Sequence, residues 1–408
     1  MAIPKEKVFP VEEFERRQTR VRESMAARGI EVLITHAAPN VYYLCGHQSL
    51  NLWDYQCLVL PLEAEPFMVL WQFERGRFEA SAMACGVELY ELLDDPVEKT
   101  VEALRKRGLA GKSIGLEPQG TYLSPAMYAR VAAALSGGKV VDGSRLIELV
   151  RLVKSDAELK LMRKAARFTD DAMEVGFHAI REGVSDSEVC AAAAASMIRN
   201  DSFAFAAHPM VAAGYRSGMP HNTNSGRRIR RGETVFLEYS PTIHWYNCPL
   251  MRTAVVGEPR PKVLDFAKRA AATVETMIER MRPGVLASEV AEAGKKMIAP
   301  IRDQILFHET YGYPVGIGFP PSWLEPSGFL LVVNNHRPLA PGMVFHIPMT
   351  HRINGEWGVG LSHTVVVTER GAKVMSRLPL ELRVVGGRAP KARAAGRARV
   401  RRAKGGRR

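Results

Sequence analysis

Apolar and polar positions alternate along the first third of the chain with two different periods. Residues 11–28 carry an amphipathic helical pattern, whereas residues 31–35, 57–60 and 67–71 are short apolar runs of strand length. Residues 112–117 open a further strand and helix unit. Such alternation predicts an α/β layer domain over residues 1–150. Residues 141–153 read as a linker and lead into Ser155-Asp156-Ala157-Glu158, which has the spacing of a helix capping box. These signals place a boundary near Val150 and a second domain over residues 151–385.

The second domain contains an internal repeat. Gly183-Val184-x-x-Ser187-Glu188-Val189 recurs as Gly284-Val285-x-x-Ser288-Glu289-Val290, 101 positions later. A long helical pattern precedes each copy, over residues 157–181 and 262–281, and another helix opens at each. A glycine-led strand start then follows, at residues 232–236 and 342–345. Helix, turn, helix and hairpin, twice over, predict a pseudo-two-fold α/β domain whose two sheets meet around one cleft.

Composition narrows the function classes. A chain of 408 residues with 46% hydrophobic content can bury one large core or two moderate ones. No apolar run approaches the ~18–20 residues of a membrane span, and the opening MAIPKEKVFPVEEFERR is too charged for a secretory signal, so the expectation is a cytoplasmic chain without membrane contact. Five cysteines are scattered, with an odd total and no C-x-x-C pair, which argues against disulfides and zinc clusters. The net charge of +13 is concentrated at the C-terminus, where residues 386–408 hold ten basic residues and no acid, leaving +3 for the rest. That Ala/Gly/Arg run predicts a disordered basic tail, able to touch polyanions weakly but not to recognise a nucleic acid.

Candidate chemistry begins at the hairpin predicted over residues 235–240 and 248–256. Together with Arg252-Thr253 and the following Gly257, it resembles the strand pair of the pita-bread family of methionine aminopeptidase, aminopeptidase P, prolidase and creatinase. In metal-dependent members each strand carries an Asp; here those positions hold Glu238 and Pro249. The family's Gly-His-Gly loop matches Gly312-Tyr313-Pro314, so Tyr313 stands at a ligand His. After Pro341-Gly342-Met343 the expected Glu is Pro348, and the last Glu falls on Ser362. One carboxylate does not hold a two-metal site, so no catalytic metal and no other cofactor are expected.

Within the family the chain is similar to the metal-free branch. Tyr313-Pro314-x-Gly316, then Phe319-Pro320-Pro321-x-Trp323, and Pro341-Gly342-Met343-x-Phe345-His346 look like ectoine hydrolases, with creatinases more distant. The resemblance implies hydrolysis of a C–N bond in a small nitrogen-rich compound: an amidine, a guanidino compound or an amide. It places the catalytic histidine at His221, as proton shuttle. Glu238 is the other catalytic candidate, as nucleophile, as base for water, or as the carboxylate that binds a cationic group; a structural ion pair with Arg252 is the alternative.

The remaining candidates are substrate-binding. Arg252, His346 and His363 offer positive or donor groups, and Tyr313 offers a phenolic hydrogen bond to a developing oxyanion. Trp323 and Trp53 offer aromatic walls. The resemblance also implies a homodimer in which Trp53 and Tyr55 of one subunit help to close the cleft of its neighbour. Met251 and Pro348 stand where creatinases carry glutamates that contact the guanidino group, and Gly360 and His363 where ectoine hydrolases carry acids, so substrate identity stays open. Two other functions remain in view: a metal-dependent Xaa-Pro aminopeptidase or dipeptidase, and an inactive ligand-binding homologue.

Overall fold

The computed structural model describes residues 3–386 apart from Thr121 and Ser136; the basic run from Gly387 onward lies outside the described residues. The first region builds one six-stranded sheet from β1 (Val32–Thr35), β2 (Cys57–Pro61), β3 (Phe67–Trp71), β4 (Gly86–Tyr90), β5 (Ser113–Leu116) and β6 (Lys139–Asp142), in the order β4-β3-β2-β1-β5-β6. Helices α1 (Val11–Ala26), α2 (Ala38–Cys45), α3 (Arg75–Ser81), α4 (Pro96–Lys106), α5 (Pro125–Ala134) and α6 (Leu146–Arg151) accompany it. The amphipathic pattern of α1 buries Phe14, Val21 and Met25 on one face.

The segment read as a linker is not one. Residues 139–142 pair with β5, and α6 buries Leu146, Ile147, Val150 and Arg151. Its polar residues misled the sequence reading because they are spent on buried partners rather than on water.

The second region is duplicated. Helices α7 (Asp156–Ala179) and α8 (Asp186–Arg199) precede strands β7 (Met210–Ala213), β8 (Thr234–Tyr239) and β9 (Leu250–Val256). Helices α9 (Pro261–Arg280) and α10 (Ala287–Ile298) precede β10 (Tyr313–Phe319), β11 (Ser322–Leu324), β12 (Val344–Ile353), β13 (Trp357–Thr368) and β14 (Gly371–Val374); β15 (Arg383–Val385) pairs with β9. The helix starts follow from the sequence. Ser155 and Ser185 each form a full capping box with the glutamate three residues on. Gly232 (φ 80°) and Gly342 (φ 85°) make the left-handed turns into β8 and β12.

Two half-sheets result, β15-β9-β8-β7 and β11-β10-β12-β13-β14. They meet where β9 crosses β13, joined by side chains rather than a backbone ladder. Thr253 Oγ1 donates to the Gly360 carbonyl (3.1 Å) and accepts from its N–H (2.8 Å), and the Met251 N–H donates to Ser362 Oγ (2.7 Å). In each half, alternation sends one set of side chains to the covering helices and the other to the space between the sheets. Val235, Leu237 and Tyr239 join the helix-side core, as do Phe345, Ile347 and Met349, leaving Phe236 and Glu238, with His346, Pro348, Thr350 and Arg352, on the inner faces.

The two regions share a core. The β8–β9 turn carries Trp245, which stacks on Phe319 (centroids 3.7 Å apart) and donates to Gln48 Oε1 (2.9 Å). Among the described residues no helix is long and apolar enough to cross a membrane.

Candidate active site

The inner faces enclose a cavity of about 390 Å³. Glu238 lies on its floor, opposite Met251 in the β8–β9 register. It is only 6% exposed, and its carboxyl makes no hydrogen bond or ion pair among the described residues. Burial raises its pKa to about 7, opposed by the charge of Arg352. A buried carboxyl without a partner is costly, and one that lines a cavity is available to whatever enters.

Arg352 is the residue that the sequence reading did not single out. It lines the same cavity, 8% exposed, with its guanidinium 5.0 Å from the centre of the Phe236 ring. One nitrogen, Nη1, donates to Thr350 Oγ1 (3.0 Å), and Nε has no partner among the described residues. No carboxylate stands within ion-pair distance of it among the described residues. The platform depends on Gly360: a Cβ there would come within 2.3 Å of the Phe236 ring edge. Alternation from His346 along β12 was the available signal, since every second residue from it reaches Arg352.

Tyr313 and Trp323 form one wall. The Trp323 indole N–H donates to the Tyr313 hydroxyl (3.1 Å), and that oxygen lies 2.9 Å from His346 Nδ1. Burial, followed by the charge of Glu238, raises the Tyr313 pKa, so the phenol stays protonated. Burial first, then His363 and Arg252, hold the His346 imidazole down to about 3, hence neutral. With the His346 proton on Nδ1, the phenol oxygen accepts twice and its own hydrogen is free for the cavity. His221, His208 and His308 border the opening. His221 is exposed on the loop before β8 and holds a left-handed backbone (φ 56°), an uncommon conformation for a residue with a side chain.

The other sequence candidates lie elsewhere. Arg252 pairs with Leu237 on the helix-facing side of its hairpin and donates to the carbonyls of Met251, Ser362, Leu378 and Pro379. It fastens backbone and does not meet Glu238. His363 pairs with Ile347 and so faces the helices behind β13, while His346 faces inward and reaches the cavity only through Tyr313. Trp53 and Tyr55 line a separate cavity of about 140 Å³ in the first region; Trp53 is 80% exposed there.

The five positions at which the family resemblance implies metal ligands do not form a metal site among the described residues. Pro249 and Pro348 offer no donor side chain, the Tyr313 hydroxyl is engaged by Trp323 and His346, and Ser362 Oγ accepts from the Met251 N–H. Among the described residues no group of three or more His, Cys, Asp or Glu is placed to hold a metal ion. The residues present do not fit the binuclear centre.

Comparisons with known proteins agree with this architecture. Residues 160–369 match metallopeptidase family M24, and residues 17–153 match the creatinase/prolidase N-terminal domain. The chain is 25% identical over 398 residues to the ectoine hydrolase of Halomonas elongata, covering 92% of this chain and 98% of that protein. It is 27% identical over 363 residues to a Xaa-Pro dipeptidase of Pyrococcus horikoshii, covering 89% and 97%. The crystal structure of dipeptidase PepE from Mycobacterium ulcerans superimposes with a TM-score of 0.79 at 24% identity, covering 93% of this chain and all of that one, a likeness of fold.

Proposed function

The chain belongs to metallopeptidase family M24, and on that premise we propose that it is a hydrolase that cleaves a C–N bond in a small amidine, guanidino compound or amide without a metal. The observation that carries this reading is Glu238, a carboxyl whose pKa burial pushes up to about 7 and that has no hydrogen-bond or ion-pair partner among the described residues, in a cavity also lined by Tyr313 and Pro348.

Glu238 takes a proton from water as the hydroxyl oxygen attacks the C–N carbon, or attacks that carbon itself and is released by water in a second step. Both routes pass through a tetrahedral centre. The Tyr313 hydroxyl donates to the oxygen or nitrogen on which negative charge develops. His221, at the mouth, gives a proton to the departing nitrogen, so that the C–N bond breaks to a neutral amine. Arg352 holds an anionic group of the substrate on the far side of the cavity.

Turnover of a panel of amidines, guanidines, amides and Xaa-Pro dipeptides tests the reading, each run with and without chelator. Cleavage of a non-peptide compound that chelator leaves unchanged supports it; cleavage confined to Xaa-Pro dipeptides and abolished by chelator overturns it. The exposed Trp53 gives the reading its quaternary form: a homodimer in which this residue meets the neighbouring subunit. Light scattering reads that directly, and a mass of one chain at micromolar concentration contradicts it.

A further inference from the structure

A second cavity, of about 160 Å³, lies at the seam between the two regions, lined by Asn40, Glu117, Tyr122, Arg145, Glu148 and Arg151 among others. Asn40 Nδ2 donates to Glu117 Oε1 and to Glu148 Oε1, each at 2.9 Å, so the two carboxyl oxygens are no more than 5.8 Å apart. Thr35 Oγ1 donates to the other Glu117 oxygen (2.7 Å). The remaining oxygen, Glu148 Oε2, is buried and has no partner among the described residues, and Glu148 as a whole is only 8% exposed.

The charges around it do not balance. Neither glutamate forms an ion pair among the described residues. The nearest buried cation, Arg151, gives Nη1 to Asn40 Oδ1 (2.8 Å) and Nη2 to the Ile317 carbonyl (2.9 Å) and Glu325 (3.0 Å). Lys154 binds the second Glu325 oxygen at 2.5 Å. Among the buried groups, three carboxyls thus face two cations, one positive charge fewer, and the third cation of the lining is not buried with them. Arg145 is exposed at the rim, its guanidinium turned against Gly328.

We infer that this interdomain cavity binds a small organic monocation, an alkylammonium or a guanidinium, through the free oxygen of Glu148 and the carboxyl of Glu117. Directional N–H donors match carboxylate lone pairs, and the Tyr122 ring offers a wall. A hard inorganic cation needs six or more oxygen ligands, which this set of side chains does not supply. Without the ligand a proton supplies the missing charge: burial and then Glu148 raise the Glu117 pKa to about 8. Cation binding at pH 7 therefore releases that proton to solvent.

The test is calorimetric titration of the full chain with propylammonium chloride and with guanidinium chloride, in two buffers of different ionisation enthalpy. The same titrations on Glu238→Gln separate this cavity from the cleft. The expected result is one event that survives Glu238→Gln, releases up to one proton, and weakens about 10- to 100-fold in Glu148→Gln. No event in the native chain, an event lost with Glu238 but kept without Glu148, or equal competition by potassium chloride would each overturn it. Should Glu148→Gln fail to fold, a crystal soaked in guanidinium decides: a nitrogen within hydrogen-bond distance of Glu148 Oε2 upholds the site, and density only in the cleft overturns it.

Discussion

The two halves of the duplicated region are built alike and furnished differently. In each, a left-handed glycine turns the chain into an inner strand, and the sixth residue after it faces the cleft: Glu238 after Gly232, Pro348 after Gly342. Their partners across the hairpins are Met251 and Ser362. The next position on each partner strand, Arg252 or His363, turns to the covering helices in both. Symmetry of the backbone therefore offers two equivalent places for an inward acid, and only the first is used. The second half contributes Tyr313, Thr350 and Arg352 instead, so the cleft has an acidic side and a basic side rather than a ring of carboxylates. Duplication sets where side chains point; the chemistry depends on how far the halves have diverged.

Breaking the acidic half has the largest expected effect. Glu238→Gln, nearly isosteric, lowers kcat by about 10²–10⁴-fold, measured by steady-state turnover of whichever compound the panel identifies. His221→Ala falls in the same range, and the double variant is little worse than the poorer single, because residues that act as one unit fail together. A Glu238→Gln enzyme that retains more than about a tenth of native kcat reduces Glu238 to a binding or structural group.

The same substitution sharpens the contrast through stability. Burial pushes the Glu238 pKa up to about 7 in the folded protein, whereas the unfolded chain releases this proton near the ordinary carboxyl value of 4.5. Between those values the native state binds more protons, so native stability falls as pH rises through the window and levels off above it. Glu238→Gln lacks this dependence. Denaturant unfolding should show it more stable than the native chain at pH 8 by on the order of 3 kcal/mol, with the gap closing toward pH 4. A gap that widens on acidification contradicts the assignment.

The basic half gives a smaller effect. Arg352→Gln raises KM for an anionic substrate about 10- to 100-fold with a lesser change in kcat, and Arg352→Lys recovers part of the loss. An equal fall in kcat with KM unchanged places Arg352 in the transition state rather than in substrate capture.

Much of this arrangement was legible in the residues. The period of 3.6 marked α1, α7 and α9, and the glycine repeat marked the duplication, because capping boxes and left-handed glycines are local devices with local signatures. The β8–β9 hairpin was marked by its two β-rich runs, and Glu238 was picked out by the resemblance of that hairpin to the family's strand pair. What alternation does not reveal is which face of a strand a long-range partner covers. Arg252 was read as a cleft residue, yet the carbonyls of Ser362, Leu378 and Pro379, all more than a hundred residues away in sequence, claim its guanidinium together with that of its neighbour Met251. His363 was weighed beside Ser362 without regard to their opposite faces. Residues 141–153 read as a linker because the partners of Glu148 and Arg151, Asn40 and Glu325, are more than a hundred residues away in sequence.

Metal content measured together with activity decides whether the hydrolysis is metal-free. Elemental analysis of the purified protein should give far less than one equivalent of any divalent metal per chain, and turnover should be unchanged after exhaustive chelation. Stoichiometric metal whose removal abolishes turnover and whose return restores it would rule out metal-free hydrolysis, because Glu238 would then be a ligand and not the group that performs it.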